Sequence, residues 1–207
     1  KQRQELELRA TGKEQRYAWD YDEYFDIFET DRRGQQLKNL THTRGYDAEA
    51  SWSPDGKLIV FSSNRHAYTE TLSEEAATLF AHDPGALLDL YLMNANGTNV
   101  RRLTDTLGTD GGAFFSPDGT HIVWRRFAPD GATAEIFSMP VDRSDQGAAQ
   151  RQITSLGAMS WAPYFHPSGD YLIFATNTHG FANFELYLVD SHGTAQQIGR
   201  ASCRERV

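Results

Sequence analysis

Cysteine is all but missing from this chain of 207 residues: Cys203 stands alone, so neither a disulfide framework nor a thiolate metal site can be built from it. A surplus of positive charge is missing too. The net charge of −8 argues against nucleic acid or an anionic membrane surface as the main partner, because both demand a basic face. No apolar run approaches the roughly 20 residues that span a bilayer. There is no His-Glu-x-x-His for zinc, no Gly-x-Ser-x-Gly elbow and no glycine-rich phosphate loop. The histidines, His42, His66, His82, His121, His166, His179 and His192, show no ligand spacing and read for the most part as solvated loop residues. These absences leave no catalytic residue, cofactor or metal to assign.

What is present is a repeat. The stretch Gly45 to Gly56 (GYDAEASWSPDG) aligns without a gap on Gly108 to Gly119 (GTDGGAFFSPDG) and Ala158 to Gly169 (AMSWAPYFHPSG). Each ends in a tight turn, where Pro54, Pro117 or Pro167 presets φ and the closing glycine takes a conformation that would strain a side chain. A short β-branched and aromatic run follows each turn, at Leu58 to Phe61, His121 to Trp124 and Tyr171 to Phe174, as a hairpin requires. An acid and an aliphatic-aromatic pair then begin a third strand, at Asp89-Leu90-Tyr91, Glu135-Ile136-Phe137 and Glu185-Leu186-Tyr187. A fourth strand ends in Leu103-Thr104 or Ile153-Thr154.

Four strands per unit predict an all-β chain, a β-propeller fragment of about three blades plus part of a preceding one. The blade units are expected at 1–41 (partial), 42–104, 105–154 and 155–197. Successive turn prolines are further apart than the roughly 40–45 residues of a four-stranded blade. The excess falls in the insertion His66 to Leu88, where Ser73 is placed to cap a short helix carrying Leu79 and Phe80, and in the last turn of the middle unit around Ser144 to Ala149. Glu5 to Arg9 is a further strand candidate. Residues 198–207 (IGRASCRERV) break the repeat, read like a translated sequencing adapter and are expected to be a non-native tail, Cys203 included. A closed propeller takes four to eight blades, so the chain is expected to be a fragment whose cut faces leave apolar surface in water and make it poorly soluble alone.

W-S-P-D-G, an apolar strand, acid-Leu-Tyr, N-x-x-G and R-R-L-T together resemble the WD-like propeller repeat of TolB-type periplasmic proteins, over Asp26 to about Gln197. The resemblance implies an exported, non-catalytic β-propeller scaffold that binds a protein or peptide partner. Similar repeats also form the amino-terminal part of exported peptidases of the zinc-aminopeptidase and prolyl-oligopeptidase types, to which Gly45 to Glu49, Trp124 to Phe127 and Ser160 to Pro163 are closer. In that alternative the ring filters substrates for a catalytic domain outside these residues. The chain departs from the family pattern at Ala50 and Ala113, where proline is common, and at His166 and Ser168 in the third turn.

Topology gathers the candidates on one face. The loops entering each first strand and joining strands two and three lie opposite the Pro-Gly turns, and loops on a rigid scaffold carry binding residues. The partner-binding candidates there are Tyr46, Asp47, Glu49, Asp110, Ser160 and Trp161. Asp47 and Asp110 read either as caps of the turn entering the strand or as a ring at the channel mouth for basic groups or a cation. Tyr46 and Trp161 are candidate partner anchors or inter-blade packing. Of Arg125 and Arg126, the buried one is expected in an inter-blade salt bridge with Glu135, with ligand contact as the second reading. The recurring acids Asp26, Asp89, Glu135 and Glu185 read as a structural hydrogen bond repeated around the ring.

Overall fold

The computed structural model describes residues 21–142, 150–180, 183–192 and 199–201. The strand candidate at Glu5 to Arg9, the turn at Ser144 to Ala149 and Cys203 lie outside them.

Strands β1 (Phe28–Glu29) and β2 (Lys38–Asn39) form a two-stranded pair. Three four-stranded antiparallel sheets follow, each with its strands in chain order. The first holds β3 (Ala48–Trp52), β4 (Leu58–Ser63), β5 (Asp89–Asn94) and β6 (Arg101–Arg102). The second holds β7 (Asp110–Phe115), β8 (His121–Phe127), β9 (Ala134–Pro140) and β10 (Arg151–Gln152). The third holds β11 (Ser160–Phe165), β12 (Tyr171–Thr176), β13 (Glu185–Asp190) and β14 (Gly199–Ala201). Its fourth strand thus comes from inside the stretch that the sequence sets aside as a tail. The insertion between β4 and β5 contains α1 (His66–Thr69), α2 (Glu74–His82) and a 3-10 turn (Pro84–Leu87). Ser73 caps α2, its hydroxyl accepting from the Ala76 amide.

Each Pro-Gly turn folds as its residues dictate. Gly56, Gly119 and Gly169 have φ of 69°, 73° and 83°. The Ser53 hydroxyl accepts from Leu58 N and bonds Asp55, and Ser116 does the same with His121 N and Asp118. In the third turn His166 replaces serine, its Nδ1 accepting from the Ser168 amide, and the turn survives. The three bends share one side of the molecule: a Cβ on Gly119 would lie 3.6 Å from Pro54, and one cavity is lined by both the second and third turns.

Alternation along each strand sends side chains to two different neighbours. Ile59, Phe61, Tyr91 and Met93 face back toward Leu40 and Ile27 of the first pair, whereas Val60, Leu90 and Leu92 face forward onto Phe115, Ile122 and Trp124 of the second sheet. Val123 and Ile136 face onward to Phe165, Leu172 and Phe174 of the third. The inner strands β3, β7 and β11 lie beside one another, and the Ser51 hydroxyl on β3 donates to the Ala113 carbonyl on β7 at 2.7 Å.

The recurring acid closes the first pair and the first two four-stranded sheets, through Asp26, Asp89 and Glu135. In the first pair Thr41 Oγ1 donates to Asp26 and accepts from Ile27 N, in the next Thr104 Oγ1 donates to Asp89 and accepts from Leu90 N, and in the next Thr154 Oγ1 donates to Glu135 and accepts from Ile136 N. One hydroxyl thereby satisfies a buried amide and a carboxylate where the short fourth strand ends.

Two outcomes are expected. Thr104→Val keeps the shape but strands the Leu90 amide, and urea denaturation should show a loss of about 1–3 kcal/mol. On β13, Leu186 and Leu188 are 39% and 41% exposed, and no sheet among the described residues covers that face, whereas Leu90 and Ile136, which correspond to Leu186, and Leu92 and Ser138, which correspond to Leu188, are buried. The double substitution Leu186→Lys/Leu188→Lys should raise the concentration at which light scattering first shows aggregation, with stability changed by no more than about 0.5 kcal/mol per site.

Candidate functional site

The insertion is fastened down at its base. Asn64 accepts the Tyr46 amide at 2.8 Å and donates to the Pro84 carbonyl at 2.9 Å and to the Tyr21 hydroxyl at 2.7 Å, while the Thr109 hydroxyl donates to the Gly85 carbonyl at 2.8 Å. These bonds tie the insertion to the loops entering both β3 and β7. A cleft of about 420 Å³ results, on the loop face opposite the Pro-Gly turns. Leu79, His82 and Asp83 of the insertion line one side, the loop Ala128 to Gly131 another, and Tyr46, Arg125, Phe127 and Trp161 the remainder.

Arg125 is held rigidly although its side chain is almost wholly buried. Nη2 donates to Glu49 Oε1 at 2.8 Å, and the guanidinium lies 4.2 Å from the centre of the Trp161 ring, which meets Phe127 edge-on at 5.3 Å. Glu49 spans two sheets, since its Oε2 also accepts the Gly112 amide at 2.6 Å. A bulge in β3 aims it there: Glu49 has φ of 54°, and the corresponding Gly112 and Ala162 share the left-handed conformation at 62° and 49°. Only glycine fits beneath, as a Cβ on Gly111 would collide with Glu49 Oε2 and one on Gly112 with Arg125 Nη1. The inter-blade salt bridge therefore forms with Glu49 and not with Glu135, which is occupied by Thr154 and by the amides of Leu156 and Gly157.

Of the six candidates, Tyr46 and Trp161 come together at the cleft, and Glu49 lies under it. Asp47 and Asp110 are buried and face arginines rather than turn amides: Asp47 Oδ2 takes Arg65 Nη2 at 2.6 Å, and Asp110 takes Nε and Nη2 of Arg126 at 2.7 and 2.6 Å. Burial pushes both carboxyls up and the arginines oppose it. Ser160 occupies the corresponding place in the third sheet, with its hydroxyl buried and without a partner among the described residues. Tyr46 is stacked between Tyr21 and Phe25 at 5.7 and 5.2 Å.

Sequence reasoning gave ligand contact by Arg125 only as a second reading. The signal was Gly111-Gly112, a pair without side chains at an inner-strand position. It also placed His66 among solvated histidines, whereas His66 is buried under the insertion with Nδ1 at 3.3 Å from the Tyr91 hydroxyl and 3.4 Å from Asp89. Among the described residues no group of three His, Cys, Asp or Glu side chains converges as metal ligands would. Among them, too, no helix is long and apolar enough to cross a membrane. With aromatic faces, a fixed guanidinium and the rim carboxylates of Asp83 and Asp130, the cleft has the means to hold a ligand of mixed apolar and polar character.

No protein-family model matches the chain. An uncharacterized protein of Agrobacterium fabrum is 26% identical over 131 residues, 63% of this chain and 36% of that one. A solved structure described as a putative TolB from Agrobacterium tumefaciens superimposes with a TM-score of 0.61 at 22% identity, over 84% of this chain and 55% of that one. The fold is that of the TolB-like β-propellers. TolB from Acinetobacter baumannii gives 0.59 at 18% identity, over 84% of this chain and 37% of that one. A puromycin-hydrolyzing peptidase of Mycobacterium tuberculosis gives 0.56 at 16%, over 88% and 28%. The chain thus spans little more than half of these TolB structures at most. The TolB-like propeller supplies the frame, and the insertion between β4 and β5 supplies one wall of the cleft.

His66 gives that wall a pH dependence. Burial, with the Arg102 charge nearby, lowers its pKa to about 4, while burial pushes Asp89 up to about 8 against the pull of Arg102. Below pH 6.5 the unfolded chain protonates His66 and the folded chain does not, so the contribution of His66 to stability falls from about pH 6.5 down to about pH 4. The stability advantage of the wild type over His66→Gln should therefore shrink on acidification through that window by roughly 2–3 kcal/mol, read from urea midpoints at several pH values.

Proposed function

We propose that this chain is part of a non-catalytic TolB-like propeller scaffold, exported to the periplasm, whose loop-rich face binds a protein or peptide partner. The observation that carries the reading is the cleft between the insertion and the second and third sheets, where Tyr46, Phe127 and Trp161 offer aromatic surface beside a fixed Arg125. Aromatic side chains on a rigid base are the usual anchors of such interfaces. Tyr46 and Trp161 are the contact residues in this reading. Asp47, Glu49 and Asp110 act from beneath, holding the strand entries that present them, and Ser160 occupies the same place in the third sheet.

A second reading is favoured by the similarity to the Mycobacterium tuberculosis peptidase. The same face would then orient peptides for a catalytic domain of an exported peptidase, of the zinc-aminopeptidase or prolyl-oligopeptidase type, and Trp161 would affect long substrates more than dipeptides.

The test uses peptides selected by phage display on the protein. Trp161→Ala and Tyr46→Ala should each weaken binding of the selected peptides tenfold or more while the melting temperature stays within about 2 °C of wild type. Binding that is unchanged, or lost only together with the fold, would return both aromatics to a packing role.

A further inference from the structure

The repeat allows the seams between neighbouring sheets to be compared position by position. At the turn-side end, the seam between the first and second four-stranded sheets is apolar: Leu92 and Val141 belong to the cluster around Phe115 and Trp124, with Leu58 packed against it. Arg101 on the outer strand crosses that seam and donates Nη2 to the Val141 carbonyl at 2.8 Å. One seam further on, the positions of Leu58, Leu92 and Val141 are held by His121, Ser138 and Ser191, and Arg151 stands in the place of Arg101, paired with Ser138 as Arg101 is with Leu92.

These exchanges open the second seam into a cavity of about 430 Å³ on the face opposite the aromatic cleft. Ser138 and Ser191 are only 5% and 6% exposed, and the Ser191 hydroxyl is buried with no hydrogen-bond partner among the described residues. An orphaned buried hydroxyl destabilises the fold, at a position where the neighbouring seam uses valine at no such cost. Exposed Arg151, His121 and His192 stand around the mouth. The one carboxylate among the described residues that line it, Asp118, is engaged by the Ser116 and Thr120 hydroxyls and the Thr120 amide. In a chain of net charge −8 this is a local set of guanidinium, imidazole and hydroxyl groups around a polar space.

We infer that the seam between the second and third sheets is a binding site for a small oxyanion, a phosphate, sulfate or carboxylate group seated on Ser138 and Ser191 and held at the mouth by Arg151. A guanidinium with its planar fork and two hydroxyls is a donor set matched to such groups. The site is separate from the loop-face cleft and does not depend on how that cleft is used.

Isothermal titration of the full chain, in chloride buffer, with inorganic phosphate, sulfate and acetate tests this. Saturable one-to-one binding of at least one anion is expected, and the preferred anion identifies a phosphoryl, sulfate or carboxylate ligand. Exposed Arg151→Ala should weaken it tenfold or more without loss of the fold. Ser138→Leu/Ser191→Val, which restores the residues of the neighbouring seam, should abolish it and leave melting equal to or above wild type. Trp161→Ala should leave it unchanged. No saturable binding of any of the three, meaning a cavity that holds water only, would overturn the inference, as would binding that survives both the Arg151 and the paired serine variants.

Discussion

A threonine hydroxyl that donates to a carboxylate and accepts from the adjoining amide is the bond on which the first strand pair and the first two four-stranded sheets depend. The fourth strands are only two residues long in β6 and β10 and have little ladder of their own. Thr41, Thr104 and Thr154 hold those chain segments against the third strand by pairing the amide that would otherwise be buried unmet. The preceding Leu40, Leu103 and Ile153 each donate their own amide to the same third strand. With that clasp closed, each sheet is a wedge with two apolar faces, and it becomes stable only when both are covered by neighbours.

The same dependence explains where charge is buried. A seam between two sheets excludes water, so any polar side chain in it must be met from the other side. Glu49 and Arg125 meet across the first seam because a bulge turns Glu49 forward and two glycines clear the way. Asp47 with Arg65 and Asp110 with Arg126 meet across neighbouring strands of one sheet, at the loop-side end. These pairs stiffen the strand entries, and the aromatic cleft stands on them. The second seam has no such matching among the described residues at its turn-side end, and there the structure leaves a polar cavity in place of a packed one.

The Pro-Gly turns, the strand alternation and the recurrence of the bonded acid are local or periodic, so they were legible in the residues themselves, whereas its threonine partner was not. So was the helix begun by Ser73, because a cap needs only its own first turn. The partners of Asp47, Asp110 and Arg125 were not legible. A buried carboxylate and a turn-capping carboxylate look alike in sequence, and the arginine that decides between them sits 16 or 18 residues away for Asp110 and Asp47, and 76 away for the Glu49 pair. His66 was misplaced for the same reason, since its burial comes from the fold of the insertion over Tyr91 and Asp89.

By itself the sequence determined the four-stranded repeat, the common side of the three turns and the face on which the long loops gather, because turn chemistry and two-residue alternation act over a few residues. Only the tertiary structure decided which loop residues are surface and which are buried ion pairs, that Arg125 joins Tyr46 and Trp161 at one cleft, and that one seam is apolar at its turn-side end while the next is polar there. Those outcomes depend on what the neighbouring sheet presents at the same height, and that is set by packing between units whose contacts are far apart along the chain.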